Sequence, residues 1–260
     1  MEPEESYFSA EWEKFRSDPE RSRQSLAAVA GLRMSKVLDV GCGAGQELLP
    51  FVTSLGAYGV GVDISSTAMQ IARQKFEELG YSERVEFHYS PAEALPFASN
   101  SFDLVTCRLA LPYTVNQLAL SEMARVLCPA GILILKIHAP LYYLRKGARA
   151  VTKRDFRVIL WTGRIILAST LYHLTGTQPD NRLLKREAFQ TPWMLRRVLS
   201  SVGLVILHEV AGASKNAGTP TSSLKKAPRL QPAGSMKHMN NLINFVRKLV
   251  SPQCVEFVDG

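Results

Sequence analysis

Apolar and polar positions follow two different periods along this chain of 260 residues. Short apolar runs of strand length recur between longer segments in which apolar residues return every three to four positions. This repetition predicts an α/β fold in which strands alternate with helices. The predicted strands cover residues 37–40, 59–62, 85–89, 102–107, 132–137 and 204–210. The predicted helices cover residues 46–55, 65–79, 116–127, 155–174 and 191–203.

The two ends of the chain have patterns of their own. Residues 6–30 predict one or two helices, with Tyr7, Phe8, Trp12 and Phe15 on one face. Residues 211–238 are rich in Gly, Ser, Thr, Pro and Lys, which predicts a flexible loop. A short helix over residues 240–250 and a final antiparallel strand over residues 254–258 complete the prediction.

Three alternating glycines follow the first predicted strand. Gly41, Gly43 and Gly45 allow a tight turn with positive φ and let a ligand approach bare main chain. The second predicted strand delivers Asp63 at its carboxyl end, which lies at the same edge of a parallel sheet. A carboxylate there can accept hydrogen bonds from both hydroxyls of a ribose.

The spacing around this turn separates two kinds of nucleotide site. A dinucleotide fingerprint requires GxGxxG, but Gln46 stands where its third glycine would fall. Asp39 comes two residues before the first glycine, where a pyrophosphate would meet a like charge. A carboxylate at that position suits a positively charged ligand instead. S-adenosylmethionine, with its sulfonium and ammonium groups, is such a ligand.

The motifs VLDVGCGAG and VGVDIS resemble motifs one and two of the class I S-adenosylmethionine-dependent methyltransferases. AEALPF followed by NSFDLVTCRLAL is similar to the third and fourth motifs of their type-11 subgroup, which includes quinone and other small-molecule methylating enzymes. The resemblance covers residues 36–138. It implies a doubly wound, seven-stranded, mostly parallel sheet of Rossmann-like methyltransferase type, with a helical insertion after strand five. The alternative is an ordinary strand-to-helix turn without a ligand.

The resemblance also implies which residues bind the cofactor. They are Asp39, Gly41, Cys42, Gly43, Gly45, Asp63, Ile64, Ala92, Glu93, Arg108 and Leu109. Pro91 stands where the subgroup has an acid that binds the adenine amine, so Glu93 or a main-chain carbonyl would have to replace it. An N-terminal helix often covers the cofactor in similar proteins, although plain core packing explains the same aromatic residues.

These patterns divide the chain into four parts. We predict an N-terminal helical cap over residues 1–30 and a cofactor-binding core over 31–138. A helical insertion or lid is predicted over residues 139–190, and the rest of the core, with its loop at 211–238, over 191–260.

Composition fits a globular protein, with 46% hydrophobic and 21% charged residues. Four widely separated cysteines lack the spacing of a zinc site, so no metal is expected and reduced thiols are predicted. The N-terminal stretch contains no apolar run of signal-peptide length, which favours a cytoplasmic protein.

Charge is distributed unevenly between the two halves. Residues 1–138 carry 12 Lys and Arg against 17 Asp and Glu, a net charge of −5, whereas residues 139–260 carry 19 against 6, a net charge of +13. The second half therefore either faces an acidic partner or is a solvated basic surface. The apolar helix at 155–174, interrupted by Arg164, is too short in its apolar run to span a membrane. We favour a buried lid over a helix that rests on an anionic bilayer.

The methyl acceptor leaves three hypotheses open. The first is a small-molecule methyltransferase for an apolar or lipid-like acceptor, with Tyr113 and Tyr142 lining the acceptor pocket. His138 is its candidate general base, against the alternative of a histidine satisfied by a neighbouring backbone group. The second is an RNA or protein methyltransferase, although CRLALPY lacks the acid or Asn followed by Pro-Pro and an aromatic that would position a base amine. The third is a non-catalytic, cofactor-binding interaction protein.

Overall fold

The computed structural model describes residues 3–184, 186–211 and 241–248 of the chain. These residues form a single mixed sheet with helices on both faces, in the order β3-β2-β1-β4-β5-β7-β6. The strands are β1 (Lys36–Val40), β2 (Tyr58–Asp63), β3 (Val85–Tyr89), β4 (Phe102–Arg108), β5 (Leu127–His138), β6 (Leu204–Ala211) and β7 (Asn241–Lys248). The helices are α1 (Pro3–Arg16), α2 (Pro19–Ala27), α3 (Leu49–Leu55), α4 (Ser66–Glu78), α5 (Asn116–Val126), α6 (Pro140–Thr152), α7 (Phe156–Thr175) and α8 (Pro192–Ser201).

Strands β1 to β5 run parallel, and the chain changes its winding direction between β1 and β4. Asp39 of β1 lies opposite Thr106 of β4, so the carboxyl ends of these two strands are adjacent. Ligands of doubly wound sheets bind in the crevice at this switch point. The predicted Rossmann-like, mostly parallel sheet is confirmed, and it places the glycine turn at that crevice.

Strand β7 lies between β5 and β6 and is antiparallel to both. The helix predicted over residues 240–250 is therefore wrong, because residues 241–248 form a strand. The apolar residues of this segment are compatible with either a helix or a strand; they are Leu242, Ile243, Phe245 and Val246. The segment forms a strand because the open edge of β5 supplies hydrogen-bond partners for its backbone. The strand predicted over residues 254–258 lies outside the described residues, as does the loop predicted over 211–238 except for Ala211, which belongs to β6.

Two helical segments differ from the prediction. The first crossover helix begins at Leu49, and Pro50 lies in its first turn. Proline therefore starts this helix instead of kinking it, since its missing N–H would have no partner there anyway. The insertion contains a hairpin of two helices, α6 and α7, where one helix was predicted. Among the helices that the structure describes, none has both the length and the apolarity to cross a bilayer.

Each face of the sheet carries its own apolar core. One core joins β1, β4 and β5 to α5 and α8, and the other joins the opposite face to α1, α3 and α4. Trp12 and Val29 belong to the second core, so the N-terminal helices are part of the folded domain. The buried side chains fix the strand ends, and these in turn position the site.

Candidate functional site

The glycine turn after β1 is held closely against the neighbouring strands. Gly41 and Gly43 have φ angles of +70° and +53°. The N–H groups of Gly41 and Cys42 donate to Val62 O over 2.8 and 3.0 Å. A Cβ atom on Gly41 would lie 2.3 Å from Ala110 Cβ. The turn can therefore take this path only without a side chain at residue 41.

Asp63 joins the glycine turn to the end of β2. Its Oδ2 accepts a hydrogen bond of 2.8 Å from Gly43 N, and its Oδ1 accepts one of 3.0 Å from Ser65 N. Each carboxylate oxygen can accept a further bond. Asp63 therefore supports the turn and still offers acceptors to a ligand in the crevice.

Asp39 is buried at the base of the same crevice, with 1% of its surface exposed. Thr106 Oγ1 donates a hydrogen bond of 2.6 Å to its Oδ1, whereas its Oδ2 has no hydrogen-bond partner within the described protein. Burial raises the pKa of the Asp39 carboxyl to about 7, and the Thr106 hydrogen bond opposes that rise. An unpartnered buried oxygen of this kind is a site for a hydrogen-bond donor, preferably a positive one.

Two adjoining cavities open at the carboxyl ends of β1 and β4. They have volumes of about 210 and 330 Å³. Both are lined by Gly41, Asp63, Ala110 and Tyr113, so they form one continuous crevice. The first cavity is also lined by Asp39, Cys42, Gly43, Arg108 and Leu109, and the second by Ile64, Ala92 and Glu93. Most of the residues that the sequence predicted for the cofactor therefore meet in one place.

A cationic cluster lies beside the first cavity, and of its members the sequence indicated only Arg108. Arg21 of α2 and Arg108 of β4 both pair with the buried Glu47, and the distance from Arg108 Nε to Glu47 Oε2 is 3.1 Å. Burial, together with the neighbouring charges of Arg108 and Arg21, lowers the pKa of Lys136 to about 8. Cations therefore outnumber Glu47 at this end, and Arg21 lines the cavity. Its position in α2 gave no signal in the sequence, because arginine is common on exposed helix faces.

Helix α1 covers the glycine turn. Trp12 Nε1 donates a hydrogen bond of 2.9 Å to Ala44 O. A Cβ atom on Gly43 would lie 3.2 Å from the Phe8 ring, and Tyr7 and Phe8 line the first cavity. Trp12 packs in the core, as the second interpretation of this helix requires, while Tyr7 and Phe8 line the crevice. That the helix covers a bound cofactor stays a prediction.

The second cavity is closed by a segment that returns from the helical insertion. Glu93 Oε1 accepts a hydrogen bond of 2.7 Å from Val115 N and one of 3.4 Å from Arg186 Nη1. Arg186 itself lines the cavity. Ser90 also lines it, and its hydroxyl donates 2.8 Å to Ala94 O. The insertion therefore contributes to the crevice through Arg186.

Three predicted site residues lie outside the two cavities. Gly45 allows close packing, because a Cβ atom there would lie 2.9 Å from the Phe87 ring. The rings of His138 and Tyr142 stack with centroids 4.1 Å apart and planes inclined by 8°. Tyr142 lines a separate cavity of about 280 Å³ together with Arg145, Lys146 and Arg149.

Tyr113 connects the crevice with a buried polar cluster. Glu187 Oε2 accepts hydrogen bonds of 3.2 Å from Trp161 Nε1 and 2.9 Å from Arg164 Nη2. Glu187 Oε1 and the Tyr143 hydroxyl are buried without a hydrogen-bond partner among the described residues. Burial raises the pKa of Tyr113 to about 12, and the nearby Glu187 carboxylate contributes to that rise. The sequence gave no indication of Glu187, since it comes from the irregular segment after α7.

Sequence comparisons agree with this geometry. A family model described as "Methyltransferase domain" matches residues 38–135. The ubiquinone/menaquinone biosynthesis C-methyltransferase UbiE of Hahella chejuensis is 36% identical over 184 residues, which cover 67% of this chain and 73% of that protein.

Comparison with solved structures shows the same fold. An S-adenosylmethionine-dependent methyltransferase from Methanosarcina mazei has a TM-score of 0.56 at 19% identity, covering 84% of this chain and 94% of that chain. The geranyl diphosphate C-methyltransferase of Streptomyces coelicolor A3(2), solved with Mg²⁺, geranyl diphosphate and S-adenosyl-L-homocysteine, has a TM-score of 0.53 at 14% identity. That alignment covers 75% of this chain and 64% of that chain.

Proposed function

Because this chain belongs to the class I S-adenosylmethionine-dependent methyltransferases, in their type-11 subgroup, we propose that its methyl acceptor is a small, apolar or lipid-like molecule. The cofactor is S-adenosylmethionine, whose sulfonium supplies the methyl group. The carboxyl-end crevice carries this proposal, because it brings the matched motifs together beside Tyr7, Phe8 and Tyr113. The name of the Hahella chejuensis relative, a ubiquinone/menaquinone biosynthesis C-methyltransferase, supports this acceptor class.

The first cavity fits the methionine end of the cofactor. Asp39 Oδ2, which has no hydrogen-bond partner among the described residues, would accept from the ammonium group. Arg21 lines the same cavity, and within the described part of the chain its buried Nε also lacks a hydrogen-bond partner, so it would bind the carboxylate. A paired acid and base match a zwitterion, and each charge compensates the desolvation of its counterpart.

The other end of the crevice fits the nucleoside. Asp63, with an acceptor site remaining on each oxygen, would bind the ribose hydroxyls. Ile64, Ala92 and Glu93 line the second cavity, where the adenine would lie. Similar proteins have an acid at the position of Pro91, and Glu93 would take over the role of that acid. The Gly41, Cys42 and Gly43 backbone separates the two ends, next to the Arg108 and Leu109 backbone.

We propose that the acceptor enters between Tyr113 and α1. Tyr113 lines both cavities, and burial beside Glu187 keeps its hydroxyl protonated. A protonated hydroxyl can donate a hydrogen bond to an acceptor oxygen. Glu187, which lies beside Tyr113, would hold that hydroxyl in position. Together these groups align the nucleophile, while Tyr7 and Phe8 exclude water.

A general base need not be supplied by His138. Its ring stacks on Tyr142 and does not line either cavity. Because methyl transfer from a sulfonium disperses positive charge, the protein promotes it mainly by aligning the two reactants and excluding water. Substitution of His138 tests whether it acts as a general base.

The proposal is tested with cofactor labelled in its methyl group. The purified protein is incubated with separated quinone-containing lipid, metabolite, RNA and protein fractions, and the label is followed into each. We expect transfer into the apolar lipid fraction. Transfer into RNA or protein alone would favour the second hypothesis, and absence of cofactor binding would favour the non-catalytic one.

Asp63→Ala provides the control for this assay. It should weaken cofactor binding by about 1–3 kcal/mol, the usual range for a lost hydrogen bond to a charged group. Calorimetry with unchanged affinity would contradict the proposed position of the ribose. Transfer that persists undiminished in this variant would show that the label does not pass through this crevice.

Three further features are part of the proposal. We propose a cytoplasmic location, which the free thiols of Cys42, Cys107 and Cys128 support. We propose that the basic second half contacts an anionic membrane surface, from which an apolar acceptor would be taken. We also propose that the sheet of the active protein has seven strands. The antiparallel pairing of β7 with β5 and β6 supports this proposal.

A further inference from the structure

The helical hairpin α6–α7 ends in an exposed tip that combines apolar and basic side chains. The tip consists of Arg149, Val151, Lys153, Arg154, Phe156, Arg157 and Leu160, all of them exposed. Phe156 and Leu160 expose 72% and 74% of their surface, and Val151 exposes 60%. Phe156 and Leu160 stand one turn apart on the same face of α7. The three side chains make an apolar surface beside four cations.

This apolar surface is separate from the face by which α7 joins the fold. Thr162, Ile165, Ala168, Ser169 and Tyr172 form the buried face of α7. Phe156 and Leu160 do not belong to that buried face, and leaving most of their surface in water forgoes the free energy that burial of large apolar side chains provides. A partner that buries them would recover it.

The charges around the tip select the kind of partner. Between residues 140 and 160 the only acid is Asp155, which caps α7 by accepting a hydrogen bond of 3.2 Å from Val158 N. Arg154 holds a φ of +54°, a conformation that glycine adopts at lower cost. A cation is thus present even where the turn favours glycine. The partner must therefore accept apolar side chains and several positive charges together.

We infer that the hairpin tip docks on an anionic lipid bilayer. Phe156, Leu160 and Val151 enter the boundary between headgroups and acyl chains, and the cations bind lipid phosphates and carboxylates. Helix α6 leaves the sheet at the carboxyl end of β5, the edge that bears the cofactor crevice. Docking rests on the proposed apolar acceptor for its purpose, since it would bring the crevice near a membrane-dissolved substrate.

A nucleic acid is the competing partner for a basic surface. Its phosphates would bind the cations and its bases could stack on Phe156, but it offers no apolar environment for the neighbouring Leu160 and Val151. The aliphatic side chains therefore favour the bilayer. The experiment below includes RNA so that the two partners are separated.

The test is cosedimentation of the full chain with vesicles of phosphatidylcholine alone or with about one third phosphatidylserine, in about 0.1 M salt, where charges act over about 10 Å. We expect binding to the anionic vesicles and much weaker binding to the neutral ones. Phe156→Ser with Leu160→Ser should reduce binding at least about tenfold. Replacing Lys153, Arg154 and Arg157 by Gln should reduce it about a hundredfold, at about fivefold for each charge.

Two control variants remove exposed apolar surface or positive charge away from the tip. Leu174→Ser removes a leucine that is 78% exposed but lies 14 residues further along α7, about 21 Å from Leu160. Arg16→Gln with Arg23→Gln removes two exposed cations from α1 and α2. Both variants should bind anionic vesicles like the unmodified protein. All variants should bind the cofactor equally, which shows that they are folded.

Docking would be overturned if the protein did not sediment with anionic vesicles, or if the tip variants bound them as well as the controls do. Sedimentation with neither vesicle type, together with tight binding to single-stranded RNA, would assign the tip to nucleic acid. Cofactor binding and label transfer are measured separately. Failure of docking would therefore leave the methyltransferase proposal intact, and the reverse also holds.

Discussion

Replacing Asp39 by Asn tests the charge that selects the cofactor. The two side chains have the same shape, and the Asn oxygen can still accept the 2.6 Å hydrogen bond from Thr106 Oγ1. The substitution therefore removes the negative charge and leaves the packing of β1 against β4 in place. A lost hydrogen bond between charged groups is worth about 1.5–3 kcal/mol, so S-adenosylmethionine should bind about 10- to 150-fold more weakly.

The same carboxyl predicts how binding depends on pH. Burial raises its pKa to about 7. At pH 6 about one tenth of the ligand-free protein carries an ionised Asp39, and at pH 7.5 about three quarters does. An α-amino group begins to lose its proton near pH 7.7–8.0, which offsets part of the gain. The affinity for the cofactor should therefore rise about fivefold from pH 6 to pH 7.5, and the Asn variant should lack this rise.

Stability should change in the opposite direction. An acid with a folded-state pKa above its unfolded value favours folding below the unfolded pKa, and that contribution is lost as the pH rises through the folded pKa. The difference in unfolding free energy between the unmodified protein and Asp39→Asn should therefore fall from about pH 4 to about pH 7. Denaturant titrations of both proteins at several pH values measure it.

Calorimetric titration with the cofactor at pH 6, 7 and 7.5 is the assay for binding. Asp103→Asn is the matched control, because Asp103 accepts hydrogen bonds from Ser35 N and Lys36 N at the opposite end of β1. That variant should keep both the affinity and its pH dependence. Equal affinities for the unmodified protein and Asp39→Asn at pH 7.5 would refute the reasoning, since no ammonium could then be bound by Asp39.

Three further predictions concern other parts of the site. Gly43→Val should abolish measurable cofactor binding, because φ is +53° and even its Cβ would approach the Phe8 ring to 3.2 Å; calorimetry with normal binding would argue against this turn as the cofactor cradle. His138→Gln should keep most of the methyl-transfer rate and the dependence of that rate on pH. If the rate of the variant no longer rose with pH, His138 would be established as a general base. Glu187→Gln should raise the KM for the acceptor and leave the cofactor Kd unchanged; a rise in the cofactor Kd alone would remove Glu187 from the acceptor side.

Much of the cofactor crevice was predictable because its signals are local. Gly41 and Gly43 adopt positive φ within a turn of a few residues, and Asp63 follows directly from the apolar run of β2. The parallel arrangement then places both at one edge. In the same way the helix predicted over residues 191–203 is found as α8, where the Thr191 side chain accepts a hydrogen bond from Met194 N.

Predictions were weaker wherever distant parts of the chain meet. Residues 241–248 were predicted as a helix and form β7, because the decision came from the open edge of β5, more than a hundred residues earlier. Arg21 and Glu187 look ordinary in the sequence. Arg21 lines the crevice only through the packing of α2, and Glu187 approaches Tyr113 only through the path of the segment after α7.

The sequence by itself determined the cofactor and the class of fold. Backbone conformation at the glycines, the alternation of strands and helices, and the acid at the end of β2 are properties of short segments, which the residue types encode directly. Only the tertiary structure decided which charges surround the cofactor, where His138 points its ring and which face of the α6–α7 hairpin remains exposed. Those features depend on burial and on contacts between remote segments, and burial is also what raises the pKa of Asp39 to about 7.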